Sequence, residues 1–165
     1  MKGKLVSRYG LLVALALILS YVESLVPAFF AVPGMKLGLT NLVVLTALYR
    51  MGGRAAVRIN LLRILLNAVL FGNGFALAYS LAGGLLSGAA MILLKRSGRF
   101  GMLGISAAGG LAHNLGQILT AMVLLDTWQL VSYLPALWIS GTVAGLVVGL
   151  LGYEVVRRLP PKLFS

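Results

Sequence analysis

The chain is 165 residues long, 60% hydrophobic and only 10% charged, with a mean hydropathy of +1.01, far from the balance of a soluble domain. Its 14 basic residues face three acidic ones, Glu23, Asp126 and Glu154, an excess that would suit nucleic acid, but the positions of the charges exclude that partner. With no cysteine there is no disulfide framework, thiolate metal site or thiol nucleophile.

A spanning helix needs roughly 20 apolar residues, somewhat fewer when neighbours shield it. Division at charge and Gly/Pro clusters predicts an all-α integral membrane protein, one domain of six helices at about 9–26, 37–50, 55–71, 74–94, 101–125 and 129–155. The first apolar run is about as long as a full span and lacks an Ala-x-Ala cleavage site, so it reads as a retained helix. Before the short second helix, "VPAFFAVPGMK" carries two prolines and a glycine and reads as an external loop that folds back over the helix ends.

Positive charge is retained on the cytoplasmic side. Lys2, Lys4 and Arg8 precede helix one; Arg50, Arg54 and Arg58 flank the next turn on that side; Lys95, Arg96 and Arg99 lie between helices four and five; Arg157, Arg158 and Lys162 follow helix six. Twelve of the 14 basic residues therefore share one side, which predicts cytoplasmic termini and leaves Lys36 outside and Arg63 within a span. Trp128, Tyr133 and Trp138 fit an interfacial aromatic belt at the outer end of helix six.

Small residues recur at steps of four: Gly141, Gly145 and Gly149 on helix six; Gly84 with Gly88 and Gly83 with Ser87 on helix four; Ala16, Ser20 and Ser24 on helix one. Such ladders let backbones approach closely. On helices four and six they are expected to pack the bundle internally, and on helix one packing and a partner-facing stripe are both open.

An ionisable residue within a span is costly and marks a functional site by default. At 100° per residue Asn60, Arg63 and Asn67 share one face of helix three, and His113, Gln117 and Thr120 share one of helix five with Asn114 at its edge. Arg63 and Gln117 each lie eight residues from an outer helix end, about 12 Å down at 1.5 Å per residue, so the two faces can meet. Asn41 and Glu23 enter from the same side, nearer the surface. Two readings stay open: Arg63 is neutralised by Glu23 in a polar core without a ligand, or it pairs with an anionic group of a substrate while the amides orient the rest. His113 reads as a hydrogen-bonded residue of the binding face rather than a metal ligand, and no metal site or cofactor is expected. There is no phosphate-binding loop and no Asp-rich cluster to hold magnesium and pyrophosphate, so no enzymatic activity is expected of the chain.

The stretch "VPGMKLGLTNLVVLTALYRMGGRAAVRINLLRILLNAVLFG" (32–72), with its Lys-Leu-Gly-Leu-x-Asn motif, and the segments "SLAGGLLSGAAMILLKR" (80–96) and "GGLAHNLGQI" (109–118) resemble the bacterial Gx transporter family, also labelled heptaprenyl diphosphate synthase component I. That family resembles the substrate-capture S components of energy-coupling factor (ECF) vitamin transporters, which implies a compact six-helix bundle in the bacterial cytoplasmic membrane with an outward pocket. By that resemblance the loop from Pro27 to Lys36 covers a small-molecule ligand. Ala16, Ser20 and Ser24 would contact an ECF-type transmembrane subunit driven by an ATPase, although serines stand here where such subunits carry an alanine pair. The synthase label implies partnership with a soluble prenyl diphosphate synthase. A further resemblance, to a membrane component found beside flavin-binding redox proteins, implies an anchoring role. The leading expectation is capture of a small, anionic, vitamin-like solute from outside.

Overall fold

A computed structural model describes residues 2–25, 38–71, 74–160 and 163, apart from the side chains of Lys2, Lys4, Ser24 and Phe71. The expected covering loop, 27–36, lies outside the described residues. Among the described residues the regular structure is helical: α1 Lys2–Leu25, α2 Leu39–Arg50, α3 Gly53–Phe71, α4 Gly74–Ser97, α5 Met102–Leu124, a 3-10 turn Trp128–Tyr133, and α6 Leu134–Arg158.

The helices outrun their apolar cores where the sequence turns polar but keeps helix-forming residues. α1 extends back to Lys2 and α4 runs on through Lys95 and Arg96 to Ser97. α6 starts later than expected, because Pro135 sits in its first turn, where a missing N–H costs nothing, and residues 128–133 form the tighter 3-10 turn instead. α2 and α3 are separated only by Met51 and Gly52, and Gly52 makes that turn at φ 90°, a conformation that strongly favours glycine.

Leu5–Glu23, Gly74–Ser97 and Trp128–Arg158 are long and apolar enough to cross a membrane, and α2 is a shorter apolar helix. α3 and α5 are the helices that carry Arg63 and the His113, Asn114, Gln117 group. The chain is thus an all-helical, membrane-type protein.

Helices α2, α3, α4, α5 and α6 each pack on the next, and α6 returns to α2, so the five form a closed ring; α1 lies against α2 and α3. The tightest seams are α4 to α5 and α5 to α6, and glycine makes both. A Cβ on Gly116 would fall 2.7 Å from the Ala82 carbonyl oxygen, one on Gly145 would fall 2.6 Å from the Ala107 Cα, and one on Gly110 would overlap the Gly141 carbonyl oxygen. The ladders on α4 and α6 are therefore packing devices, as expected, with Gly88 the exception, since nothing lies within 4 Å of its missing side chain.

The main apolar cluster joins Leu12, Val13 and Ala16 of α1 to Val43, Leu45 and Leu48 of α2, Ile59 of α3 and Ile105 of α5. It fills the half of the bundle nearer the basic helix ends. A smaller cluster of Ile118, Met122 and Leu137 closes the opposite end between α5 and α6. Two cations tie the basic end together. Arg50 Nη2 donates to the carbonyls of Val156 and Leu159, the latter at 2.5 Å, and Lys95 Nζ donates to the Leu48 carbonyl at 2.6 Å while lying over the Tyr49 ring. Each meets carbonyls at the C-terminal end of a neighbouring helix, where positive charge is favourable.

Candidate functional site

Between the two apolar clusters lies a cavity of about 250 Å³ to which all six helices contribute. α5 supplies its longest wall. Ser106, Gly109, Gly110, His113, Asn114 and Gln117 recur at steps of three and four and line one face over about 16 Å. Facing it are Ser20, Tyr21 and Glu23 of α1, Gly38, Thr40 and Asn41 at the start of α2, Arg63 and Asn67 of α3, and Ser80, Ser87 and Met91 of α4.

Arg63 is 8% exposed. Its Nη2 donates to Asn60 Oδ1 at 2.7 Å, and Asn60 Nδ2 in turn donates to the Gly84 carbonyl at 3.2 Å. Gly84 has no room for a side chain there, since a Cβ would stand 3.0 Å from Asn60 Nδ2 and 2.7 Å from Ile64 Cδ1. The guanidinium is thus held from behind through α4, and its buried Nε has no hydrogen-bond partner among the described residues.

No carboxylate neutralises it within ion-pair distance. All three acidic residues are described: Glu154 pairs with Arg158 at 3.3 Å, Asp126 sits in the turn after α5, and Glu23 is engaged elsewhere. Glu23 Oε1 accepts from the Gly38 N–H at 2.5 Å and Oε2 accepts from the Thr40 hydroxyl at 3.3 Å. Glu23 therefore caps the N-terminus of α2, where a negative charge is favourable. It still interacts with Arg63 through space. Of the two readings left open for Arg63, a direct pair with Glu23 is not formed: α2 starts deep in the bundle, with Gly38 beside Val148 of α6, and the Gly38 N–H and the Thr40 hydroxyl take the carboxylate.

The amides divide by task. Asn114 Nδ2 donates to the Leu137 carbonyl at 2.7 Å and ties α5 to α6, while Asn67 Oδ1 accepts from the Ser20 hydroxyl at 3.3 Å and ties α3 to α1. Gln117 is 3% exposed and Asn41 is half-buried; both line the cavity, and neither side chain makes a hydrogen bond to a described residue. Of the expected site residues, Arg63, Asn67, His113, Asn114, Gln117, Asn41 and Glu23 are brought to one cavity, and Asn60 stands directly behind Arg63.

Ala16 and Ser20 turn inward. Ala16 is fully buried in the main cluster and Ser20 lines the cavity, while the Ser24 side chain lies outside the described residues. The small residues that α1 leaves exposed are instead Gly3, Ser7, Gly10 and Ala14. Ser80, Ser87, Ser106, Thr40 and Tyr21 also line the cavity without being foreseen. A serine in an apolar helix is a weak signal because its hydroxyl can bond its own backbone. Among the described residues there is no group of three or more His, Cys, Asp or Glu that could hold a metal.

Comparison with curated proteins and with solved structures gave no match. The model of one protein family, heptaprenyl diphosphate synthase component I, matches residues 12–155. That stretch takes in the whole described cavity wall, from Ser20 to Val148, and the chain therefore belongs to the heptaprenyl diphosphate synthase component I family.

Proposed function

We propose that this protein is a six-span membrane subunit with both termini in the cytoplasm, which binds a small organic solute through an anionic group and delivers it for uptake with a separate energising partner. It performs no chemistry of its own. The observation that carries the reading is Arg63: a buried cation on a cavity wall, anchored by Asn60 and with no carboxylate within ion-pair distance. A structural arginine at that depth would be expected to hold an acid, whereas a binding arginine keeps donors for its ligand. The cavity volume of about 250 Å³ lies near the small end of ligand pockets, which suits a small solute.

Native mass spectrometry of the protein gently extracted from its own membrane tests this. A retained small anion or zwitterion, absent from Arg63→Ala, is the expected result. Retention of the same molecule by Arg63→Ala, with insertion unchanged, would remove Arg63 from the site and with it the reading.

The family description favours a second reading, an accessory role in polyprenyl diphosphate synthesis. In that case Arg63 would meet a diphosphate headgroup, the tail would lie outside the cavity, and the protein would copurify with a soluble synthase.

A further inference from the structure

We infer that the solute is a zwitterion, its anionic group at Arg63 and an ammonium or comparable cationic group at Glu23; this rests on the solute-capture reading above and narrows it to a substrate class. Tyr21, Glu23, Arg63 and His113 are the titratable residues among the described lining, and of these Arg63 supplies a guanidinium and Glu23 a carboxylate. They have opposite signs and share one cavity, yet no ion pair joins them. Each is held by its own protein partner, Arg63 by Asn60 Oδ1 and Glu23 by the Gly38 N–H and the Thr40 hydroxyl.

That arrangement keeps two opposite poles apart in a shielded space. A purely anionic solute would complete Arg63 but leave Glu23 as a like charge in the same cavity, where screening by water is weak. The N-terminus of α2 offsets part of the Glu23 charge, about half an elementary charge, which is not enough to balance a full added negative charge. A solute with separated charges adds none and meets both poles. The carboxylate has acceptor capacity to spare: two oxygens offer about four lone-pair sites, of which Gly38 and Thr40 occupy two.

Two matched probe series test the inference on the full chain in detergent by calorimetric titration: ω-amino acids from β-alanine to 6-aminohexanoate, and the plain carboxylates of the same chain lengths. At least one amino acid is expected to bind the unaltered protein about tenfold or more tighter than its carboxylate counterpart. Glu23→Gln should abolish that preference yet still bind the carboxylate. Its amide oxygen can accept from Gly38, and its NH2 can donate to the Thr40 hydroxyl, so the cap on α2 survives. Arg63→Gln should lose both series.

Carboxylates binding through Arg63 as well as or better than the amino acids would overturn the zwitterion and leave solute capture standing. Preference for the amino acid surviving in Glu23→Gln would also overturn it. Failure of both series on the unaltered protein would count against the zwitterion, and a ligand retained in native mass spectra would then show whether capture itself still holds.

Discussion

At Arg63 the guanidinium commits one nitrogen to Asn60, is 8% exposed and has no carboxylate within pairing distance. A cation so placed costs about 3 kcal/mol on insertion scales, and replacing buried charged groups with apolar side chains of similar size is often neutral or stabilising. Arg63→Met is therefore expected to raise the ligand-free unfolding midpoint, by about 1–3 kcal/mol or some 2–4 °C for each, while abolishing solute retention. Thermal unfolding in detergent checks this, and a fall of similar size would make Arg63 a structural residue. Asn60→Asp should weaken binding by a different route. It places an internal anion at the Oδ1 position and is expected to weaken any anionic probe by about tenfold or more in a calorimetric titration. At this scale Arg63, Asn67 and Gln117 were legible because a polar group in an apolar run stands out. The engagement of Glu23 was not, because its partner is a backbone N–H at the start of α2, and such a donor has no side-chain signature. Nor could the sequence show that Ser87 and Ser106 face the cavity, since helical serines carry no direction by themselves.

The seams between α4, α5 and α6 set how well each helix substitution is tolerated. Gly110→Ala forces a methyl group into the Gly141 carbonyl and is expected to separate α5 from α6, with loss of a monodisperse profile on size exclusion. Gly88→Ala meets nothing within 4 Å and is expected to be neutral or to add up to about 1 kcal/mol from helix propensity, read from the unfolding midpoint. Existence and order of the helices were legible from the apolar runs and the charges between them, and most ends fell within a few residues. α1 and α6 departed further, for reasons no hydropathy run records: lysines and arginines extend α1 to Lys2, and Pro135 delays the α-helical part of the last element. The facing of α1 was illegible for a different reason. Ala16, Ser20 and Ser24 form as good a stripe as Gly3, Ser7, Gly10 and Ala14, and only the packing of Leu12, Val13 and Ala16 into the main cluster decides which side turns inward.

For the molecule as a whole, the absence of cysteine makes orientation simple to test. Single cysteines at Ser97 and Thr127 flank α5, and six spans with cytoplasmic ends predict that a membrane-impermeant thiol reagent labels Thr127→Cys from outside intact cells and spares Ser97→Cys. Labelling of both from outside would mean that α5 does not cross. The ring of α2 to α6 closes on itself without α1, yet α1 supplies Ser20, Tyr21 and Glu23 to the cavity. Among the contacts near its far end are hydrogen bonds from Ser20 to Asn67 and from the first residues of α2 to Glu23. A barrel that keeps its hoop when one stave lifts can exchange its contents sideways without coming apart. On the solute-capture reading proposed above, the last turns of α1 would then be the expected exit, and variants of Ser20 or Thr40 should alter residence time more than arrival rate.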